Sequence, residues 1–191
     1  MARQHLAGLP VSQMRSLKDH LSSYLQFRED VARFQEKHFA DICSQKCFAS
    51  RTSACCGREG IITFFADIVI NVLLSTTAQI ESLLQTLRLD TGGFNCVYLT
   101  ESGCLWRLKP IVCEMFLCQH AKSSVLEGDE FLGSHWQKLR EQERLYTWPS
   151  GPILFDQLES LFIEAGYDSP LMYYHHSPGL LRVKARSGKG R

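Results

Sequence analysis

The stretch Ile61-Ile62-Thr63-Phe64-Phe65-Ala66-Asp67-Ile68-Val69-Ile70-Asn71-Val72-Leu73-Leu74 is the longest apolar run in the chain. A membrane helix needs about 20 apolar residues, and this run is shorter and carries Asp67 and Asn71. It therefore reads as a buried core helix that begins after Gly60. Asp67 and Asn71 lie one turn apart and share a face. A buried carboxylate is costly unless it is paired, which leaves two readings. Either Asp67 hydrogen-bonds the cysteine loop and supports metal ligands from behind, or this face meets solvent or a basic partner.

Outward from this run, the pattern stays helical. Between Gln13 and about Phe39 the residues Leu17, Leu21, Tyr24, Leu25, Phe27, Val31 and Phe34 form a stripe with charged residues between them. The stripe predicts an amphipathic helix covering the core; the alternative is a helix that docks a protein partner. Thr77 to Leu87, Phe131 to Tyr146 and Ile153 to Ala165 read as further helices, the last stopped by Gly166. Gly92-Gly93 breaks the chain. Phe94–Leu99 and Gly103–Leu108 predict a short β-hairpin with Gly103 in the turn. Pro110 suits the first turn of a helix over Ile111 to Cys118. His175-His176, beside Tyr173 and Tyr174, reads as a polar surface or as the lining of a pocket. From Ser177 onward, Lys184, Arg186, Lys189 and Arg191 among glycine and serine read as a solvated basic tail.

Composition excludes several classes. The chain has 191 residues, 45% hydrophobic and 21% charged, close to globular averages, so a wholly disordered chain is excluded. The net charge of +1 supplies no broad field for nucleic acid or for a membrane surface. The start, Met1 to Pro10, has no apolar core of an export signal, which predicts a cytoplasmic protein. No phosphate loop, dinucleotide fingerprint or nucleophile elbow is present.

The chemistry lies in the eight cysteines, Cys43, Cys47, Cys55, Cys56, Cys96, Cys104, Cys113 and Cys118. They divide the chain into an N-terminal helical segment (1–42), a cysteine-cluster region (43–120), and a C-terminal helical segment with the basic tail (121–191). Disulfides are rare in a reducing compartment, and adjacent Cys55 and Cys56 pair badly with each other. Metal ligation is the better reading, because thiolates select zinc, copper(I) or iron–sulfur. In sequence order the cysteines form two sets of four, 43/47/55/56 and 96/104/113/118. Each set satisfies tetrahedral zinc or a four-iron cluster, so one or two sites are open, and order along the chain does not say which four meet. The first group, Cys43 to Cys56, reads as a loop. Its polar residues Ser50-Arg51-Thr52-Ser53 have little reason to order without a metal. Lys46, Arg51, Arg58, Arg107 and Lys109 either offset thiolate charge or are simply solvated. His120, two residues after Cys118, is either a substitute ligand or a surface histidine, and His38 is a weaker candidate of the same kind. A free-thiol enzyme lacks a histidine tied to any one cysteine.

The cysteine pattern resembles the YkgJ-type cysteine-cluster family, described as a zinc- or iron-chelating domain. The matching stretches are Cys55-Cys56, Cys96-Val97-Tyr98-Leu99, Gly103-Cys104, Pro110-Ile111-Val112-Cys113 and Phe116-Leu117-Cys118. Gly103 adjoins Cys104 where the family has a spacer, and the first group is looser than the family's. Lys109 stands where arginine usually precedes the proline, and Glu114 where arginine often follows the cysteine. The resemblance implies that all eight cysteines ligate an iron–sulfur cluster or zinc. Some relatives resemble flagellin lysine N-methylases, which implies an S-adenosylmethionine-dependent, cluster-bearing enzyme as one alternative.

The sequence thus predicts a mainly α protein: a helical domain around a small irregular cysteine-rich metal-binding centre with a short β-hairpin. Its predicted function is metal binding. The alternatives are a cluster-dependent enzyme and a metal-stabilised module that docks an unknown protein partner.

Overall fold

The computed structural model describes residues 2–53, 55–57, 62–88, 94–147 and 153–173. The fold is mainly α with a small β-hairpin, as predicted. Gly92-Gly93, Arg58, Tyr174, His175-His176 and the basic tail from Ser177 lie outside the described residues.

The helices are α1 (Ala2–Ala7), α2 (Val11–Ala40), α3 (Phe65–Leu74), α4 (Thr77–Arg88), α5 (Ile111–Glu114), α6 (Gln119–Val125), α7 (Glu130–Thr147) and α8 (Leu154–Glu164). A π-helical segment, Asp41–Phe48, continues α2 directly. Strands β1 (Leu99–Thr100) and β2 (Gly103–Cys104) pair antiparallel, with Leu99 opposite Cys104. Gly103 takes a φ of +111°, a left-handed backbone that glycine adopts without a Cβ clash.

The stripe on α2 does what its spacing predicts. Leu17, Leu21, Tyr24, Phe27, Val31 and Phe34 are buried, while Leu25 is half-buried. α2 packs against α7, and α7 against α8; α3 packs against α8 and α1. Their contact is an aromatic core. Phe27 stacks on Tyr146 at 5.4 Å, Tyr24 meets Phe155 edge-on at 5.8 Å, and Phe65 meets Phe162 edge-on at 5.1 Å. Edge and offset geometries suit the ring quadrupoles. Side chains from all three sequence regions enter this one core.

Four local expectations need correction. The core helix does not begin directly after Gly60: Ile62 to Phe64 stand outside the helix, and α3 starts at Phe65, with Phe64 extended ahead of it. The first cysteine group is not wholly a loop, because the helix runs on through Cys43 and Cys47 with π pitch before the chain turns. The expected helix from Ile111 to Cys118 stops at Glu114. Met115 and Leu117 are buried against the core, so the chain leaves helix there to place both. Cys118 instead caps the next helix, its sulfur accepting the Ala121 N–H at 3.4 Å. The hairpin is shorter than its apolar runs suggested. Among the described residues no helix is long and apolar enough to cross a membrane.

Candidate metal centre

All eight cysteines are free thiols; Cys55 and Cys113 are exposed and the others half-buried. Cys43 and Cys47 sit one turn apart on the π-helical segment. The chain then turns through Arg51 (φ +61°) and Ser53 (φ +40°), left-handed conformations that cost a non-glycine residue about 1–3 kcal/mol. The Cys47 carbonyl holds the turn by accepting the N–H groups of Thr52 and Ser53, both at 3.1 Å. Cys55 and Cys56 follow.

The later cysteines are brought to this group by backbone pairing. The Cys96 N–H donates to the Cys56 carbonyl at 2.6 Å, and Gly57 bridges Asn95. The hairpin then carries Cys104 beside Cys96.

The segment leading to Cys113 is clamped from two helices. From α3, Asp67 accepts the Ile111 N–H at 3.0 Å, and its other oxygen accepts the Phe64 N–H at 3.0 Å. Asn71 grips Leu108 at both ends, donating to its carbonyl at 2.8 Å and accepting its N–H at 2.9 Å. Both side chains are buried. The solvent-facing reading of this face is therefore wrong: the two residues pair with backbone of the cysteine region. From α2, buried Arg28 donates to the Lys109 carbonyl at 2.6 Å and to the Tyr24 hydroxyl at 2.8 Å, and it pairs with Glu114 at 3.6 Å. Gln35 donates to the Glu114 carbonyl.

Sequence reasoning missed Arg28 and Gln35. A signal for Arg28 existed, since it stands at the helical repeat of the stripe, four residues after Tyr24 and three before Val31. A charge inside an apolar stripe needs a buried partner.

A cavity of about 340 Å³ is lined by Cys43, Cys47, Cys55, Cys56 and Cys118, with His120 and Phe116 at its wall. Cys96 and Cys104 lie near Cys56, and Cys113 lies near Cys96 and Cys104; none of these three lines the cavity. Among the described residues no three Cys, His, Asp or Glu side chains stand close enough together to hold a metal ion. A second cleft of about 540 Å³ shares Phe48 and Ser53 with the first and includes Arg51, Asn95, Thr100 and Glu101.

The thiols feel one another. Burial first, then the sulfurs of Cys55, Cys118 and Cys47, raise the Cys43 thiol above its ordinary value. A hydrogen bond from the Cys56 thiol lowers Cys55 to about 6, and the same contact raises Cys56. Burial first, then Cys96 and Cys104, raise Cys113 to about 11. Opposing this, backbone N–H groups point at several sulfurs and favour thiolate: Tyr98 and Leu99 at Cys96, Trp106 at Cys104, and Ile62 at Cys113. Lys109 favours the thiolates of Cys43, Cys55 and Cys104. The other cations among the described residues are engaged elsewhere or exposed: Lys46 pairs with Asp41 at 2.7 Å, Arg51 with Glu101 at 3.7 Å, and Arg107 is exposed. His38 packs against Phe34 at 4.9 Å.

By donor type these thiols, with N–H groups directed at their sulfurs, are soft ligands, and among the described residues no three of them stand at ligating distance from one point. Comparison of the chain with family models, with curated proteins and with solved structures found no match.

Proposed function

We propose that this chain is a metal-binding protein whose eight cysteines hold iron–sulfur, with zinc as the alternative occupant. The observation that carries the reading is the cavity of about 340 Å³ walled by five thiols, with Cys96 and Cys104 near Cys56 and Cys113 near those two. A zinc ion draws its sulfurs to within about 2.3 Å of one point. A multi-iron cluster is a larger body held by thiolates at its corners, and a thiol-lined cavity of this size suits it better. When bound, such a cluster supplies either structural cross-linking or an electron-transfer centre. The chain's own part is to direct N–H groups and Lys109 at the sulfurs, which offsets some of the burial that disfavours thiolate, and to hold the Cys113 segment through Asp67, Asn71 and Arg28. This chemistry belongs in a reducing compartment such as the cytoplasm, and it agrees with the resemblance of the cysteine order to the YkgJ-type family.

The test is purification without oxygen, followed by visible absorbance and assay of iron, sulfide and zinc. A brown protein with stoichiometric iron and sulfide is expected, and Cys55→Ser and Cys113→Ser should each lower the metal content. Colourless protein with stoichiometric zinc would move the assignment to zinc. Protein with neither metal would end the reading.

The adjoining cleft of about 540 Å³ favours an enzyme as the second reading, because a cofactor or substrate bound there would lie next to the thiols. Calorimetry of the metal-loaded protein with S-adenosylmethionine separates the two: heat of binding supports the methylase alternative, and its absence leaves a binding protein.

A further inference from the structure

We infer that the eight thiols form two four-cysteine centres that interleave the sequence order, Cys43, Cys47, Cys55 and Cys118 holding one, and Cys56, Cys96, Cys104 and Cys113 the other. This assignment rests on the metal-binding reading above, adds which ligands share a centre, and requires the thiols to close around the metal, since no three of them stand at ligating distance among the described residues. Sequence order alone would group Cys56 with the first three and Cys118 with the last three.

The exchange of Cys118 for Cys56 follows from the fold. After α5 the chain leaves helix to bury Met115 and Leu117. That detour carries Cys118 to the start of α6, which packs against α2. The π-helical continuation of α2 bears Cys43 and Cys47, so Cys118 faces them across the cavity and Cys55 closes it. Cys113, five residues earlier, is not among the cavity's walls.

Cys56 goes the other way. Its carbonyl takes the Cys96 N–H, the neighbouring Gly57 bridges Asn95, and the hairpin sets Cys104 beside that pair. Cys113 joins from α5, its sulfur facing the Ile62 N–H. The electrostatic neighbours agree: Cys43 feels Cys55, Cys118 and Cys47, whereas Cys56 and Cys113 both feel Cys96 and Cys104. Cys56 also touches the cavity and hydrogen-bonds Cys55. The Cys55–Cys56 step is thus the seam where the two centres meet.

Metal content of paired substitutions in the full chain, purified without oxygen, tests the assignment. Cys118→Ser should halve the metal of the wild-type protein. Adding Cys43→Ser should remove no more, because both belong to one centre; adding Cys113→Ser instead should remove the rest. The reverse result, with Cys43→Ser additive and Cys113→Ser silent, overturns the partition in favour of sequence order.

Wild-type protein gives a second measurement should the paired variants fail to fold. Under limiting chelator, alkylation read by mass spectrometry should label the thiols as two groups, Cys43, Cys47, Cys55 and Cys118 together and Cys56, Cys96, Cys104 and Cys113 together. Labelling of Cys118 with Cys113, or of all eight in one step, overturns the assignment. Wild-type protein with metal for one centre overturns it while leaving metal binding intact; protein with no metal removes the metal-binding reading itself.

Discussion

The aromatic core and the cysteine region are built by opposite means. Between α2, α3, α7 and α8, regular helices bury Tyr24, Phe27, Phe65, Phe155 and Phe162 almost completely. Each side chain there is held by many weak contacts, which sum to large effects. The cysteine region has two-residue strands, a one-turn helix, a π-helical segment and two left-handed non-glycine residues. Its path is fixed by three buried anchors, Ile111, Met115 and Leu117, and by a few directed hydrogen bonds from Asp67, Asn71, Arg28 and Gln35. A region of that kind depends on its neighbours and on whatever its thiols bind.

The sharpest challenge to this contrast is Phe27→Ala. Truncating a fully buried phenylalanine should cost about 3–5 kcal/mol, read as a lowered midpoint of chemical denaturation. The fraction that remains folded should keep its full metal content. Lost metal in that folded fraction would mean the two regions are not separable.

Next in size is a pH effect centred on Asp67, the residue where the regions touch. Burial, partly offset by the N–H groups of Phe64 and Ile111, raises its carboxyl from 3.8 to about 6. The folded state therefore holds this proton more tightly than the unfolded chain does. The contribution is fully present below about pH 4 and is lost as pH rises through about 6. Each tenfold in proton affinity is worth about 1.4 kcal/mol, so the loss is roughly 3 kcal/mol. Denaturation of the protein at a series of pH values should show that fall, and Asp67→Asn should flatten it. A profile unchanged by the substitution would mean Asp67 does not carry the effect.

Asn71→Ala should cost about 2 kcal/mol, because it strands the N–H and carbonyl of Leu108. Unlike Phe27→Ala, it should also lower metal occupancy, since Leu108 begins the segment that delivers Cys113. Stability lost with occupancy unchanged would show that the clamp serves the core alone. The smallest effect belongs to the surface. Arg33→Gln breaks exposed ion pairs with Glu29 and Asp30, and it should shift stability by less than about 0.5 kcal/mol without touching the metal.

The same contrast explains what could be read from the chain. The α2 stripe, the α3 run and the stop of α8 near Gly166 were readable because helical burial repeats every three to four residues. The π-helical extension was not, since Asp41-Ile42-Cys43-Ser44-Gln45-Lys46-Cys47 looks polar and irregular. The break after Glu114 was hidden as well, because local propensity allowed helix to Cys118 while burial of Met115 and Leu117 required otherwise. Asp67 and Asn71 stood out as polar residues in an apolar run, but their partners at Ile111 and Leu108 lie far along the chain.

By itself the sequence determined a helical fold, the depth of its main helices, and a cysteine-rich region of soft-ligand chemistry. These follow from local periodicity and from residue type. Only the tertiary structure decided which thiols face one another, that Asp67 and Asn71 grip the backbone before Cys113, and that Arg28 is buried to do the same from α2. Those relations join residues distant in sequence. They depend on how helices pack, which no local pattern encodes.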